Sequence, residues 1–204
     1  MQARSRSSLY SLSDEELMEQ FQSGKTEAFE LLVYRYKDRL HNFLYRYTRS
    51  REDSEDLAQE TFLRVHRSKD SYRRIAKFST WMYTIALNLA KSLYNKKQRF
   101  QKISMHEDPE DSESRKMVFE NGELPQDEVF DQRESVRYLE KSLKELSPEF
   151  RDVIVLRDIQ KLSYEEIAEI TDTAMGTVKS RINRGRIQLK EILEGYFDNL
   201  PQTS

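Results

Sequence analysis

The chain has 204 residues, enough for one large domain or two small ones, with 34% charged residues and few glycines or prolines. It has no cysteine, which excludes disulfides and thiolate metal sites, and its three histidines are scattered rather than clustered as a zinc site requires. The net charge of −2 hides a segregation: residues 35–103 carry 17 bases and 7 acids, and residues 104–134 carry 3 bases and 11 acids.

Taken in order, residues 1–11 are polar and expected to be disordered. Ser13 and Glu16 form a capping box ahead of Leu17, Met18 and Phe21, and Gly24 ends that short helix. A longer helix starts near Thr26. Its stripe of Phe29, Leu32, Val33, Tyr36, Leu40, Phe43, Leu44 and Tyr47 has the helical period, with Arg35, Lys37, Arg39, Arg46 and Arg49 between. The next helix runs from Ser54 to Arg67, acids first and bases last, as the helix dipole prefers. Leu57, Ala58, Thr61, Phe62 and Val65 make its inner face. Asp56, Gln59, Glu60 and Leu63 stay outside, and the residues by themselves read as a solvated face.

Lys69 to Phe78 is a basic loop with aromatic residues, followed by a helix from Ser79 to Arg99. Met82, Ile85, Ala86, Leu89 and Leu93 face its core. Cations interleaved with Tyr72, Phe78, Trp81 and Tyr83 suit unpaired DNA, whose bases stack on rings while lysines and arginines track phosphates. A core aromatic cluster is the other reading. It is favoured for Phe78, and for Tyr72 and Tyr83 both readings stay open.

Residues 104–130, acidic and broken by Pro109 and Pro125, are expected to form a flexible linker. A second domain starts near Asp131, with Val136, Leu139, Leu143 and Leu146 on its first helix. Ser147-Pro148 caps the next, and Phe150, Val153, Ile154, Leu156 and Ile159 supply a core. Ser163 and Glu166 form another capping box, then Ile167, Ala168 and Ile170 face inward. Asp172 suits a left-handed turn. A second helix opens near Met175, with Val178, Ile182 and Leu189 inward and no acid from Met175 to Lys190. Two short helices with a tight turn and a cationic second helix make a helix-turn-helix. Lys179, Ser180, Asn183 and Arg184 face out, where a major groove would be. Residues 198–204 are a fraying tail. The expected fold class is therefore all-α: two small helical domains, 12–103 and 131–197, joined by a flexible acidic linker.

The order of these parts resembles the extracytoplasmic-function (group IV) sigma factors of the sigma-70 family. Glu55-Asp-Leu-Ala-Gln-Glu-Thr-Phe62, Phe78-Ser-Thr-Trp-Met-Tyr-Thr-Ile-Ala-Leu-Asn-Leu-Ala90, Leu162-Ser-Tyr-Glu-Glu-Ile-Ala168 and Gly176-Thr-Val-Lys-Ser-Arg181 carry the likeness, which covers residues 12–195. It implies a sigma region 2 domain that docks on core RNA polymerase and reads and melts the minus-ten element. A region 4 domain would read the minus-thirty-five element as duplex. The implied minus-ten residues are Tyr72, Arg73, Arg74, Lys77, Trp81, Tyr83, Asn88 and Lys91, with a flipped base held by Tyr72, Tyr83 and Asn88. Flipping costs on the order of a few kcal/mol of stacking, which the pocket must offset. The implied minus-thirty-five residues are Thr177, Lys179, Ser180, Arg181, Asn183, Arg184 and Arg186. Asp53, Asp56, Leu57, Gln59, Glu60 and Leu63 become a docking face for the β′ clamp helices, and the second domain docks on the β flap.

Ala174 stands where the family often has proline, a small loosening of the turn. The implied partners are core RNA polymerase, promoter DNA and an anti-sigma factor, with a monomer expected when free of them. No signal peptide and no bilayer-length apolar run are visible, so a cytoplasmic protein with no membrane insertion is expected. No phosphate-binding loop, metal cluster or nucleophile motif points to an enzyme, and no cofactor is implied. A stand-alone helix-turn-helix regulator is the alternative, but it leaves the loop at Lys69–Tyr83 and the linker without a job.

Overall fold

The computed structural model describes residues 9–104 and 128–198, with side chains for residues 9–100 and 137–196. The expectations for residues 1–8, the linker from 105 to 127 and the tail from 199 to 204 lie outside the described residues. Among the described residues there are eight α-helices and no strand.

Helix α1, Asp14–Gln22, starts at the expected capping box. The Glu16 amide donates to the Ser13 hydroxyl at 3.2 Å, and the Ser13 amide donates to the Glu16 carboxylate at 2.7 Å. Two amides that a helix start leaves unpaired are thereby satisfied. Leu9 is buried in the same hydrophobic cluster as Leu17, Met18 and Phe21, so the described structure begins before residue 12. Gly24, at φ 101°, makes a turn that a side chain would strain.

Helix α2, Thr26–Thr48, is the axis of the first unit. Ala28, Leu31, Leu32, Tyr36, Leu40, Phe43 and Leu44 are buried along one stripe, while Phe29, Val33 and Tyr47 are only half-buried. Each large apolar side chain so enclosed contributes roughly 1.5–3 kcal/mol. Helix α3, Arg51–Arg67, begins three residues before the expected Ser54, because Ser50 is the cap and accepts the Asp53 amide at 3.1 Å. Ser54 is instead buried. Its hydroxyl lies 3.0 Å from His41 Nε2 and donates to the Arg51 carbonyl at 2.8 Å. Helix α4, Phe78–Ser104, packs on α2 and α3.

In the second unit, α5 spans Glu128–Glu145, starting before the expected Asp131, and α6 spans Pro148–Ile154. Pro148 is in the first turn of α6 as expected. Ser147, however, makes no side-chain cap bond, and its hydroxyl is enclosed without a partner. Here proline alone sets the start, through its fixed φ and missing amide. Helix α6 runs into a π-helical turn, Val155–Ile159, and the chain reverses at Lys161 with φ 62°.

Helix α7, Tyr164–Thr171, has the Ser163–Glu166 capping box and ends on Asp172 in the left-handed region, φ 49° and ψ 51°, as expected of that residue. Helix α8, Met175–Asp198, buries Val178 and Ile182. The two units share one hydrophobic cluster, with α7 lying across α4.

Gly185 marks a close approach of α8 to α6. A Cβ there would sit 3.0 Å from Ile154 Cγ1 and 3.3 Å from Phe150 Cβ. Ile154 is itself enclosed and has no room to yield. Gly185→Ala is therefore expected to destabilise the second unit by about 1–2 kcal/mol, the strain exceeding the gain in helix propensity. Denaturant unfolding measures it, and a more stable variant would contradict the close approach.

Candidate nucleic-acid interface

Two cationic surfaces and one acidic face can be built from these helices. The first surface is the loop between α3 and α4. A 3-10 turn, Lys69–Ser71, is pinned by Gln22, whose amide donates to the carbonyls of Lys69 at 2.7 Å and Tyr72 at 3.1 Å. The Phe78 amide donates to Glu15 at 3.1 Å. Between these anchors the loop projects Arg73, Arg74 and Lys77, all exposed, and Ile75, which is 96% exposed. Arg74 reaches Glu19 at 3.3 Å, and Arg73 donates to the Asp70 carbonyl at 2.5 Å. An apolar side chain in open water at the tip of a basic loop is unusual, and charge counting passed over it.

The aromatic residues divide. Tyr72 is buried, its hydroxyl donating to the Ala76 carbonyl at 2.8 Å and its ring 5.2 Å from Trp81. Phe78 is buried against Tyr36, and Trp81 is half-buried. Tyr83 is fully enclosed and donates to Gln160 Oε1 in the second unit at 2.7 Å. Burial pushes the Tyr83 phenol up to about 12, with Arg39 pulling the other way. Tyr72 is pushed up to about 12, chiefly by burial. Both rings therefore stay protonated.

Asn88 is exposed. On an ideal helix it lies about 20° from Trp81 and about 140° from Tyr83 around the axis. Trp81 and Asn88 thus share an outer face of α4, while Tyr83 points elsewhere. Lys91, also exposed, is at the edge of that face and pairs with Asp152 at 3.0 Å.

The second surface is the first half of α8. Thr177, Lys179, Ser180, Asn183 and Arg184 are all exposed. The cation of Lys179 lies 5.7 Å from the centre of the Tyr164 ring, which the Arg157 guanidinium also approaches, at 4.6 Å. Arg181 and Arg186 differ from their neighbours. Arg181 is half-buried and pairs with Glu149 at 3.0 Å. Arg186 holds Asp158 through two contacts, at 3.0 and 2.5 Å. Both arginines therefore tie α8 to the helix beneath it. Sequence spacing registers their charge but not these carboxylates, which come from another helix.

The acidic face lies on α3. Asp56, Gln59 and Leu63 are exposed, and Leu57 is half-buried. Asp53 and Glu60 are engaged, with Lys97 at 2.5 Å and Arg64 at 2.8 Å. A leucine in a field of carboxylates and amides, not closed off by any other element of the described residues, has the make-up of a docking surface.

Among the described residues no group of acids and histidines could hold a metal ion, and no helix is long and apolar enough to cross a membrane.

Comparison with known proteins fits this layout. The profile of Sigma-70 region 2 matches residues 32–100, and that of Sigma-70, region 4, matches residues 137–189. The chain is 36% identical over 187 residues to the ECF RNA polymerase sigma-E factor of Haemophilus influenzae, covering 90% of this chain and 96% of that one. It is 38% identical over 180 residues to the factor of the same name from Escherichia coli K12, covering 86% and 91%. Among solved structures, the sigma factor RpoE from Bartonella quintana, in complex with the anti-sigma factor NepR, aligns with a TM-score of 0.61 at 25% identity. That alignment covers 81% of this chain and 96% of that one. CnrH, in complex with the cytosolic domain of CnrY, shares the fold with a TM-score of 0.67 at 24% identity, over 89% and 97%.

The Arg186–Asp158 pair is a measurable element of the second surface. A double-mutant cycle between Arg186→Ala and Asp158→Ala should return a coupling of up to about 1 kcal/mol, the range for a partly exposed pair. Zero coupling in thermal unfolding would free Arg186 from this positioning role.

Proposed function

We propose, because the chain belongs to the extracytoplasmic-function sigma factors of the sigma-70 family, that its two halves divide promoter recognition between them. The protein is an alternative sigma factor that directs transcription. In the proposed division, the first unit docks on core RNA polymerase and reads the minus-ten element as melted single strand. The second reads the minus-thirty-five element as duplex.

The observation that carries the reading is the pairing of two different cationic surfaces in one small chain. The α8 surface is a rigid helix edge with Lys179, Ser180, Asn183 and Arg184 free of acids, which suits the major groove. The α3–α4 loop is an exposed basic turn with Ile75 at its tip and Trp81 and Asn88 beside it. It suits unpaired bases, which offer ring faces and edges that a duplex hides. Asn88 offers both a donor and an acceptor to a base edge. Tyr72, enclosed against Trp81, serves as the backing of this surface. Arg181 and Arg186 position α8 through Glu149 and Asp158.

The acidic face with Leu57 and Leu63 is the proposed seat for the β′ clamp helices, and the second unit docks on the β flap. Each grip on DNA is weak alone and gains by effective concentration once both are fixed on core. Catalysis belongs to the polymerase, and the factor works in the cytoplasm beside it. An anti-sigma factor is the proposed inhibitor, supported by the complex in which the Bartonella quintana relative was solved. The stand-alone regulator loses ground, because it gives no role to the loop that Gln22 and Glu15 hold in place.

Two variants separate the halves. Arg184→Ala is expected to weaken recognition of the minus-thirty-five duplex by about 1–3 kcal/mol if it makes a bidentate base contact. Asn88→Ala is expected to alter the preference at one unpaired minus-ten position while core binding is unchanged. Promoter selection from a randomised template library, with each variant on core polymerase, reads both. Unchanged minus-thirty-five use in the first, or an unchanged minus-ten preference in the second, removes that residue from its site.

A further inference from the structure

Three polar residues of α1 recur at helical spacing, and all three engage the segment that joins α3 to α4. Glu15, Glu19 and Gln22 fall within an arc of about 60° around the helix axis. Gln22 donates to the carbonyls of Lys69 at 2.7 Å and Tyr72 at 3.1 Å. Glu19 meets Arg74 with both carboxylate oxygens, each at 3.3 Å. Glu15 accepts the Phe78 amide at 3.1 Å, which satisfies the first turn of α4 from another helix. The entry, tip and exit of the loop are each held by one residue of a single stripe.

The stripe is itself held. Leu17, Met18 and Phe21 bury another side of α1. Asp14 accepts from Arg35 at 2.6 Å and from the Tyr36 hydroxyl, both on α2. The Lys69 ammonium donates to the Phe21 carbonyl at 3.5 Å and lies 4.9 Å from the centre of the Phe21 ring. Helix α1 is thus fixed to α2 and fixes the loop in turn.

Within the loop, the Tyr72 hydroxyl bonds the Ala76 carbonyl across the tip and leaves Arg73, Arg74 and Ile75 between them, all exposed. The placement of exposed side chains comes from the backbone beneath them, and here that backbone is set by the anchors on α1. The three anchors differ in weight. Glu15 and Gln22 are half-buried, and each holds main chain. Glu19 and Arg74 form an exposed pair, which adds little to stability and acts on the direction of Arg74 instead.

We propose that the stripe of Glu15, Glu19 and Gln22 positions the loop for base selection, so that α1 helps to determine the minus-ten preference through residues that do not themselves touch DNA. The inference rests on the minus-ten assignment made under Proposed function. A loop held in one shape favours the base that fits that shape. A loop free to take many shapes loses binding energy to being ordered and accepts several bases alike. Loosening the stripe therefore flattens the preference instead of replacing it with another.

The test uses the full chain. E19Q/Q22E alters two of the three anchors at constant net charge and nearly constant shape. An ionised carboxylate at position 22 has no hydrogen to donate, and a neutral amide at position 19 has no charge for Arg74. E15A removes the third anchor, whereas E15Q keeps an acceptor for the Phe78 amide. M18A truncates a buried side chain of α1 and serves as the control for lost stability. Hydrogen exchange of the amides of residues 70–77, followed by mass spectrometry on the free protein, reads the hold on the loop. Promoter selection from a randomised template library, with each variant on core polymerase, reads the preference.

Exchange in that segment of E19Q/Q22E should be about five-fold or more faster than in the wild type. Its preference among bases at the unpaired minus-ten positions should flatten by about three-fold or more, with minus-thirty-five preference and core binding kept. E15A should act in the same direction, and E15Q should behave as the wild type does. M18A should lower the thermal midpoint and leave the preference as it was.

Unchanged exchange or an unchanged preference in E19Q/Q22E would overturn the proposal. Equal flattening in M18A would do the same, because the effect would then be one of stability alone. No difference between E15A and E15Q would remove Glu15 from the stripe. The minus-ten assignment fails separately, and R73A/I75A at the tip shows it. If that variant alters the preference and E19Q/Q22E does not, the loop reads DNA and the stripe does not place it. If neither alters it, the loop is not a reading surface, and the assignment falls together with the proposal.

Discussion

A phenol hydroxyl shut away from water must find an acceptor in the protein, and Tyr83 finds one only across the boundary between the two halves of the chain. Its ring is fully enclosed against Phe43, with centroids 5.0 Å apart, and its hydroxyl donates to Gln160. An unpaired hydroxyl in that position would cost roughly 1–3 kcal/mol. The acceptor is in place because of the backbone before and after it. The π-helical turn lets the Gln160 amide reach the Val155 carbonyl at 3.0 Å, and Lys161 then reverses the chain at positive φ. A regular helix through these residues would present a different side chain to α4. The helix-turn-helix that follows inherits its placement from this turn.

The same reversal sets up the outer surface of α8. Asp158, inside the π turn, receives Arg186 from α8, and Arg157 donates to the Leu162 carbonyl at 2.6 Å while covering the Tyr164 ring. Lys179 shares that ring. The outer edge of α8 is thus held from below by charge pairs and a ring contact, leaving its free polar groups to face outward. Rigid support under the proposed recognition helix matters because base contacts reward placement to within a fraction of an ångström. In the first unit, Gln22 and Glu15 do the corresponding work for the loop, fixing both ends and leaving Ile75 unconstrained by packing.

Much of this was legible in the sequence, for reasons that are local. Both glutamate capping boxes form, because they need only four consecutive residues. Asp172 takes the left-handed turn because a short polar side chain tolerates it. The stripes of α2 and α8 face the core as their period requires, with Phe29, Val33, Tyr47 and Leu189 only half-buried. The departures are non-local. Ser147 has the right identity for a cap, but its hydroxyl faces inward without a partner. Ser54 was read as a helix start, yet Ser50 captures the free amide and Ser54 turns to His41. Tyr72 and Tyr83 could be core or surface by pattern alone, since an aromatic with a hydroxyl suits either until its neighbours are known. Leu9 lay in a stretch too polar on average to suggest packing. The contacts between the two units were out of reach, because they depend on Gln160 and Asp152 meeting residues about seventy positions earlier.

The central claim is that this chain gives core RNA polymerase a promoter specificity it lacks alone. Run-off transcription tests that most directly. Purified core polymerase would be supplied with fragments of the genome that encodes the chain, with and without the protein. The account predicts new transcripts, made only with the protein present, starting downstream of a shared pair of spaced elements. Absence of new transcripts, together with tight binding of the protein to duplex fragments without core, would contradict it.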